Sequence, residues 1–121
     1  MYFASNASHK LYCGHSNWTG GGDQYTSYPS NTVFSLNTWY FAVLTFNTTD
    51  GMTLYVNGVL DSTYTARKTA HGGDGSTNIA CFAPAGNPLN GSISIVMTYN
   101  RALTSSEALY NYNQTKSIFG L

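Results

Sequence analysis

The sequence predicts an all-β chain, an antiparallel β-sandwich closed by a short C-terminal helix, and three observations carry that prediction. Short strand-forming stretches alternate with clusters of Gly, Asn, Asp, Ser and Pro along most of the chain. Asn57-Gly58, flanked by alternating apolar residues, is a strong hairpin signal because both positions tolerate positive φ. The end of the chain then changes period: Gly91–Asn100 alternates as a strand does, and Arg101–Glu107 turns into a helix with the capping-box spacing Thr104-x-x-Glu107.

Taken in order, Met1–Ala4 and Leu11–His15 are short strand candidates, and Thr19–Asp23 is a glycine-rich loop. Gln24–Tyr28 alternates and is expected to stop at Pro29, with Val33–Leu36 a short edge candidate. Trp39–Phe46 is apolar on both faces, the pattern of a strand between two layers, with Trp39 in the core. Asn47–Gly51 is a turn, Met52–Val56 alternates with Met52, Leu54 and Val56 on one side, and Val59–Thr65 returns from the hairpin. Ala70–Thr77 is too glycine-rich for a regular element, Asn78–Ala83 is a strand, and Pro84–Asn90 is a loop. In the closing strand Ile93, Ile95, Met97 and Tyr99 share a face, and Leu103, Leu109 and Tyr112 are placed to seat the helix on a sheet.

The 121 residues form one domain, 1–121, without repeat or linker. Five basic and five acidic residues leave no net charge, and Lys10, Arg67, Lys68, Arg101 and Lys116 are too scattered for a phosphate-binding patch, so no nucleic-acid partner is expected. No apolar run suffices to span a membrane, and the first residues lack the basic and apolar regions of a secretion signal. Near-zero charge gives little colloidal repulsion and favours self-association. Cys13 and Cys81 leave a single disulfide and two free thiols equally open.

Catalysis finds little support. Glycoside hydrolysis needs two carboxylates about 5–10 Å apart, whereas Asp23, Asp50, Asp61, Asp74 and Glu107 are isolated in sequence. The Asp-Gly turn accounts for Asp50 and the capping box for Glu107. The chain is therefore expected to be no enzyme, with no catalytic residue. Asp74, in the loop Gly72–Ser76, is the best placed metal ligand; a hard cation such as Ca2+ would draw on its carboxylate and loop carbonyls, while a plain turn role competes with that reading. No other cofactor is implied. For sugar binding, Trp18, Tyr25 and Tyr28 flank the Gly20–Gly22 loop beside Asn17, Asp23 and Gln24, an aromatic platform with polar neighbours. Against it, tyrosine is an ordinary strand residue, and Trp18 fits a core or an interface as well.

Three stretches resemble a known family: the tryptophan-bearing start of a strand at Asn37–Tyr40, the hairpin Leu54-Tyr55-Val56-Asn57-Gly58, and the run from Gly91 through Arg101-Ala102-Leu103 to Glu107. In this order they resemble the LamG-like, concanavalin A-like lectin/glucanase domains, which implies a jelly-roll sandwich. The ending Asn111–Lys116 with Phe119-Gly120-Leu121 is similar to versions of the domain found in tailed bacteriophages. That resemblance implies a non-enzymatic virion surface or structural protein, decorating a capsid or attached to a tail and made in the host cytoplasm. Its partners would be further copies of itself or other virion proteins. The alternative is a lectin-like module recognising a cell-surface glycan. Two departures stand out. Ser94 replaces an acid common in the family, so no role of that acid carries over. The family also implies a set of strands upstream of Trp39, where this chain is short, so some N-terminal strands of the full fold are expected to be missing and a neighbouring subunit is expected to cover what they leave bare.

Overall fold

A computed structural model describes residues 2–5, 8–18, 23–65, 81–82 and 86–121, with side chains described for all of these except 2–5, 14–18, 23–27, 81–82 and 86–88. Strands β1 (Tyr2–Ser5), β2 (Lys10–Trp18) and β3 (Asp23–Val33) form one antiparallel sheet in that order. Strands β4 (Ala42–Asn47), β5 (Gly51–Val56) and β6 (Val59–Tyr64) form a second, and β7 (Cys81–Phe82) with β8 (Gly86–Pro88) a small ribbon. Helix α1 (Ser105–Thr115) and a 3-10 turn (Lys116–Ile118) end the chain. The sequence-based fold class, an antiparallel sandwich with a short C-terminal helix, is the one observed.

The β4–β5–β6 meander follows from its turn residues. Asn47 Oδ1 accepts the amides of Thr49 at 2.8 Å and Asp50 at 2.6 Å, and Asn47 Nδ2 donates to the Asp50 carboxylate. Between β5 and β6, Asn57 (φ 50°) and Gly58 (φ 78°) take the positive φ of a primed hairpin turn. Asn57 also ties that turn to the residue before β4, since its amide donates to Phe41 O and its Oδ1 accepts from Phe41 N. Strand β5 is central and almost wholly buried, with Met52 and Leu54 fully enclosed.

The two sheets meet over a core of Cys13 from β2 and Leu54 and Val56 from β5, with Leu11, Tyr28, Phe34, Tyr40, Leu44 and Tyr64 packed around them. Residues from sheets remote in sequence thus share one dry centre, the arrangement that removes most apolar area from water.

Two bulges join the sheets edge to edge. Opposite Leu11, β3 carries Ser30, Asn31 and Thr32 between its pairings with Lys10 and Tyr12. The Leu11 amide, displaced from the ladder, donates to Ser30 Oγ, which itself donates to Thr32 O. In β6, Asp61 is the extra residue between the pairings Leu54–Ser62 and Tyr55–Leu60. A bulge re-aims the side chain it carries, and here it turns Asp61 onto the bulge of β3. The Asp61 carboxylate accepts the Asn31 amide at 2.7 Å, the Thr32 amide at 2.8 Å and the Ser62 hydroxyl at 2.9 Å. Beside this clasp Tyr28 stacks on Tyr64, centroids 4.3 Å apart, and Tyr64 Oη donates to Pro29 O.

Helix α1 opens with both halves of the capping box: Thr104 Oγ1 accepts the Glu107 amide, and the Glu107 carboxylate accepts the Thr104 amide. Glu107 also receives two guanidinium hydrogen bonds from Arg101, at 2.6 and 2.8 Å, and these, with the Thr104 amide, pull its carboxyl down to about 2. The helix seats on the Asn57-Gly58 turn through Leu109 and Tyr112, with Tyr112 against Phe41. Leu103 and Ala108 are buried at its start.

Four sequence-based expectations are corrected. Strand β3 continues through Pro29 to Val33, because it lies at the edge of its sheet, where a missing N–H costs least. Trp39 is not core: it is 40% exposed, lies before β4 and packs on Phe119 of the C-terminal turn. The expected loop Pro84–Asn90 contains strand β8. Residues 91–100, expected to be the closing strand, lie in no regular element, and their side chains are exposed throughout. An alternating pattern prepares a strand, but only a hydrogen-bonding neighbour makes one.

Candidate functional site

The ladder of the β2–β3 hairpin decides which of the sequence-predicted aromatics belong together. Trp18 pairs with Asp23, Ser16 with Tyr25, Gly14 with Ser27 and Tyr12 with Pro29, while the intervening pair Cys13–Tyr28 belongs to the other face. Directly opposed residues share a face, and faces alternate along each strand. Trp18 and Tyr25 therefore hold register positions on one face, one diagonal step apart. Tyr28 holds a position on the opposite, core face, where its ring stacks on Tyr64. Strand β1 extends the outward set, since Tyr2 pairs with Gly14 and Ala4 with Tyr12. The face opposite the core thus carries a Trp18–Tyr25 diagonal at the hairpin end and a Tyr2–Tyr12 diagonal at the other. Gly14, Ser16 and Ser27 lie between.

In register terms this face carries aromatic positions spaced along a sheet, with small and hydroxyl-bearing positions between them. Tyr2 and Tyr12 escaped the sequence reading because alternation within one strand does not say which strand lies alongside. The loop at residues 19–22 and Asp74 lie outside the described residues. Among the described residues no group of three or more His, Cys, Asp and Glu is placed to hold a metal ion, and no helix is long and apolar enough to cross a membrane.

The carboxylates with described side chains all have structural partners. Asp50 is bound within the β4–β5 turn, and Glu107 sits between Thr104 and Arg101. For Asp61, partial burial works to raise the carboxyl pKa, but hydrogen bonds from Thr32, Asn31 and Ser62 outweigh it and hold the group below its ordinary value. Cys13 is a free, fully buried thiol whose Sγ donates to Tyr28 O, and burial pushes it up to about 11. A thiol in that state is neutral and inert.

These observations define a two-sheet β-sandwich module whose described carboxylates are engaged in a turn, a cap and a clasp. The laminin G-like family model for the concanavalin A-like lectin/glucanases superfamily matches residues 1–108, and the chain belongs to that family. No match is found among curated proteins or among solved structures.

Proposed function

We propose that this chain is a non-catalytic carbohydrate-binding module whose ligand, a cell-surface or polymeric glycan, lies across the outward face of the β1–β2–β3 sheet. The observation that carries the reading is the register that places Trp18 and Tyr25 on one face, in line with Tyr2 and Tyr12 and away from the core. Aromatic rings stack on the apolar faces of sugar rings, and the seryl positions between them offer hydroxyl partners. Membership of a superfamily that includes lectins supports the same reading. So does the engagement of Asp50, Asp61 and Glu107 in structural bonds, which leaves none of the three as a ready acid or base.

The test is binding of the purified chain to a panel of soluble polysaccharides and bacterial surface glycans, followed by calorimetry on any hit. Trp18→Ala and Tyr25→Ala should each weaken binding at least ten-fold, a loss of about 1.4 kcal/mol or more. Trp39→Ala, which removes a ring packed on Phe119 rather than one on this face, should leave it unchanged. Binding equally strong in the Trp18 and Tyr25 variants would refute the site, and no binding across the panel would refute the function.

A second reading, a bacteriophage surface protein that acts by packing against neighbours in a virion, draws on the exposed apolar stretch at 93–99 and on the resemblance of residues 111–121. It calls for binding to particles rather than to sugars.

A further inference from the structure

We propose that the outward face of the β1–β2–β3 sheet takes a neutral, linear polysaccharide, held as an internal stretch of chain laid along β2 rather than as a terminal sugar. The inference rests on the glycan-binding reading above and names the class of glycan. Its basis is a pattern in the register. Four successive outward rungs of the sheet each hold one aromatic position: Trp18 opposite Asp23, Tyr25 opposite Ser16, Tyr2 beside Gly14 and Ser27, and Tyr12 beside Ala4 and Pro29. The aromatic position passes from β2 to β3, across to β1 and back to β2, and no rung holds two. Every other position on these rungs is Asp, Ser, Gly, Ala or Pro, all small residues.

Length and charge select the ligand. From Tyr12 to Trp18 the track runs about 20 Å along β2 at roughly 3.4 Å per residue, the length of about four extended hexose units. It stays within three strands, a width of about 10 Å. A long, narrow run of aromatic positions suits the apolar faces of successive sugar rings, whereas a single terminal sugar calls for polar groups converging on a concave pocket. These rungs carry no Lys or Arg, and their single charge is the carboxylate of Asp23 at the hairpin end. The next cation in the register, Lys10, lies one rung beyond Tyr12, beside the bulge of β3. Sulfated and uronic-acid glycans are held by charge-assisted hydrogen bonds from guanidinium or ammonium groups. The track supplies none, and Asp23 repels an anion at its end.

The test uses linear glucans, mannans and xylans, each beside its sulfated and carboxymethylated derivatives, with binding read by calorimetry. A neutral polymer should bind, and its charged derivatives should bind about ten-fold more weakly or worse. For oligosaccharides of the backbone that binds, affinity should rise with length up to about four units and then level off, the limit set by the track. Reducing the terminal sugar to its alditol should change nothing on that plateau. Tyr2→Ala and Tyr12→Ala should each weaken the longest oligosaccharide about ten-fold and flatten the length dependence, with the fold of each variant checked by circular dichroism. Ser27→Lys adds a cation to the track without removing an aromatic, and should shift preference towards the carboxymethylated derivative. The inference is overturned if a monosaccharide binds as tightly as the chain, if the unchanged protein prefers the charged derivatives, or if the Tyr2 and Tyr12 variants bind the longest oligosaccharide undiminished. In each of those cases, binding that still depends on Trp18 leaves the underlying reading standing, whereas no glycan binding at all refutes that reading and this inference with it.

Discussion

The clasp at Asp61 gives the sharpest test of how the two sheets are held together. Asp61→Ala removes the acceptor for two consecutive amides, Asn31 at 2.7 Å and Thr32 at 2.8 Å. Hydrogen bonds to a charged acceptor contribute roughly 1.5–3 kcal/mol each, and a donor left unsatisfied away from water costs a similar amount. Asn31 is exposed, so water replaces most of its loss, whereas Thr32 is half-buried and keeps most of it. The sum is about 3 kcal/mol. With a urea m-value of about 2 kcal/mol/M for a chain of this size, the unfolding midpoint should fall by about 1.5 M at unchanged slope. Asp61→Asn, which keeps one acceptor oxygen but turns an amide group towards a second donor, should fall between the two. The pH dependence supplies an independent check. Because the folded carboxyl lies below its ordinary 3.8, its contribution is complete at neutral pH and lost as pH falls through the lowered folded value. Asp61→Ala should lack that part of the acid-side loss. A midpoint shift below about 0.3 M, within the error of such extrapolations, would refute the clasp as the element joining the sheets.

Two further outcomes follow from the same geometry. Gly58→Ala meets two obstacles, a φ of +78° and a Cβ only 2.9 Å from Leu109 Cδ1 and 3.0 Å from Tyr112 Cδ1, so it should cost about 2 kcal/mol and loosen helix α1; thermal unfolding with amide exchange over 105–115 reads both effects. Cys13, with its thiol raised to about 11 by burial, should resist alkylation at pH 8 in the native chain and react at the unfolding transition, as mass mapping of the modified peptide would show.

What the sequence determined by itself was local. Asn57-Gly58 specified its turn because few residue pairs accept two positive φ values, and Thr104 with Glu107 specified the helix start because their side chains reach the free amides of the first turn. The Met52–Val56 alternation specified a buried strand face, and the hairpin and closing motifs specified the family. Residues distant in the chain were decided only by the tertiary structure. Pairing across the β2–β3 ladder separated Tyr28 from Trp18 and Tyr25 and aligned the latter with Tyr12 and Tyr2. Asp61, unremarkable in sequence, acquired its role because two bulges from different sheets meet there. Trp39, apolar enough for any core, went to the Phe119 contact because β4 begins three residues later. The physical reason is common to all three. Turn and cap energies depend on neighbours a few positions away, while a face, a clasp or a strand pairing depends on which distant segment arrives alongside, and alternation alone cannot name that segment.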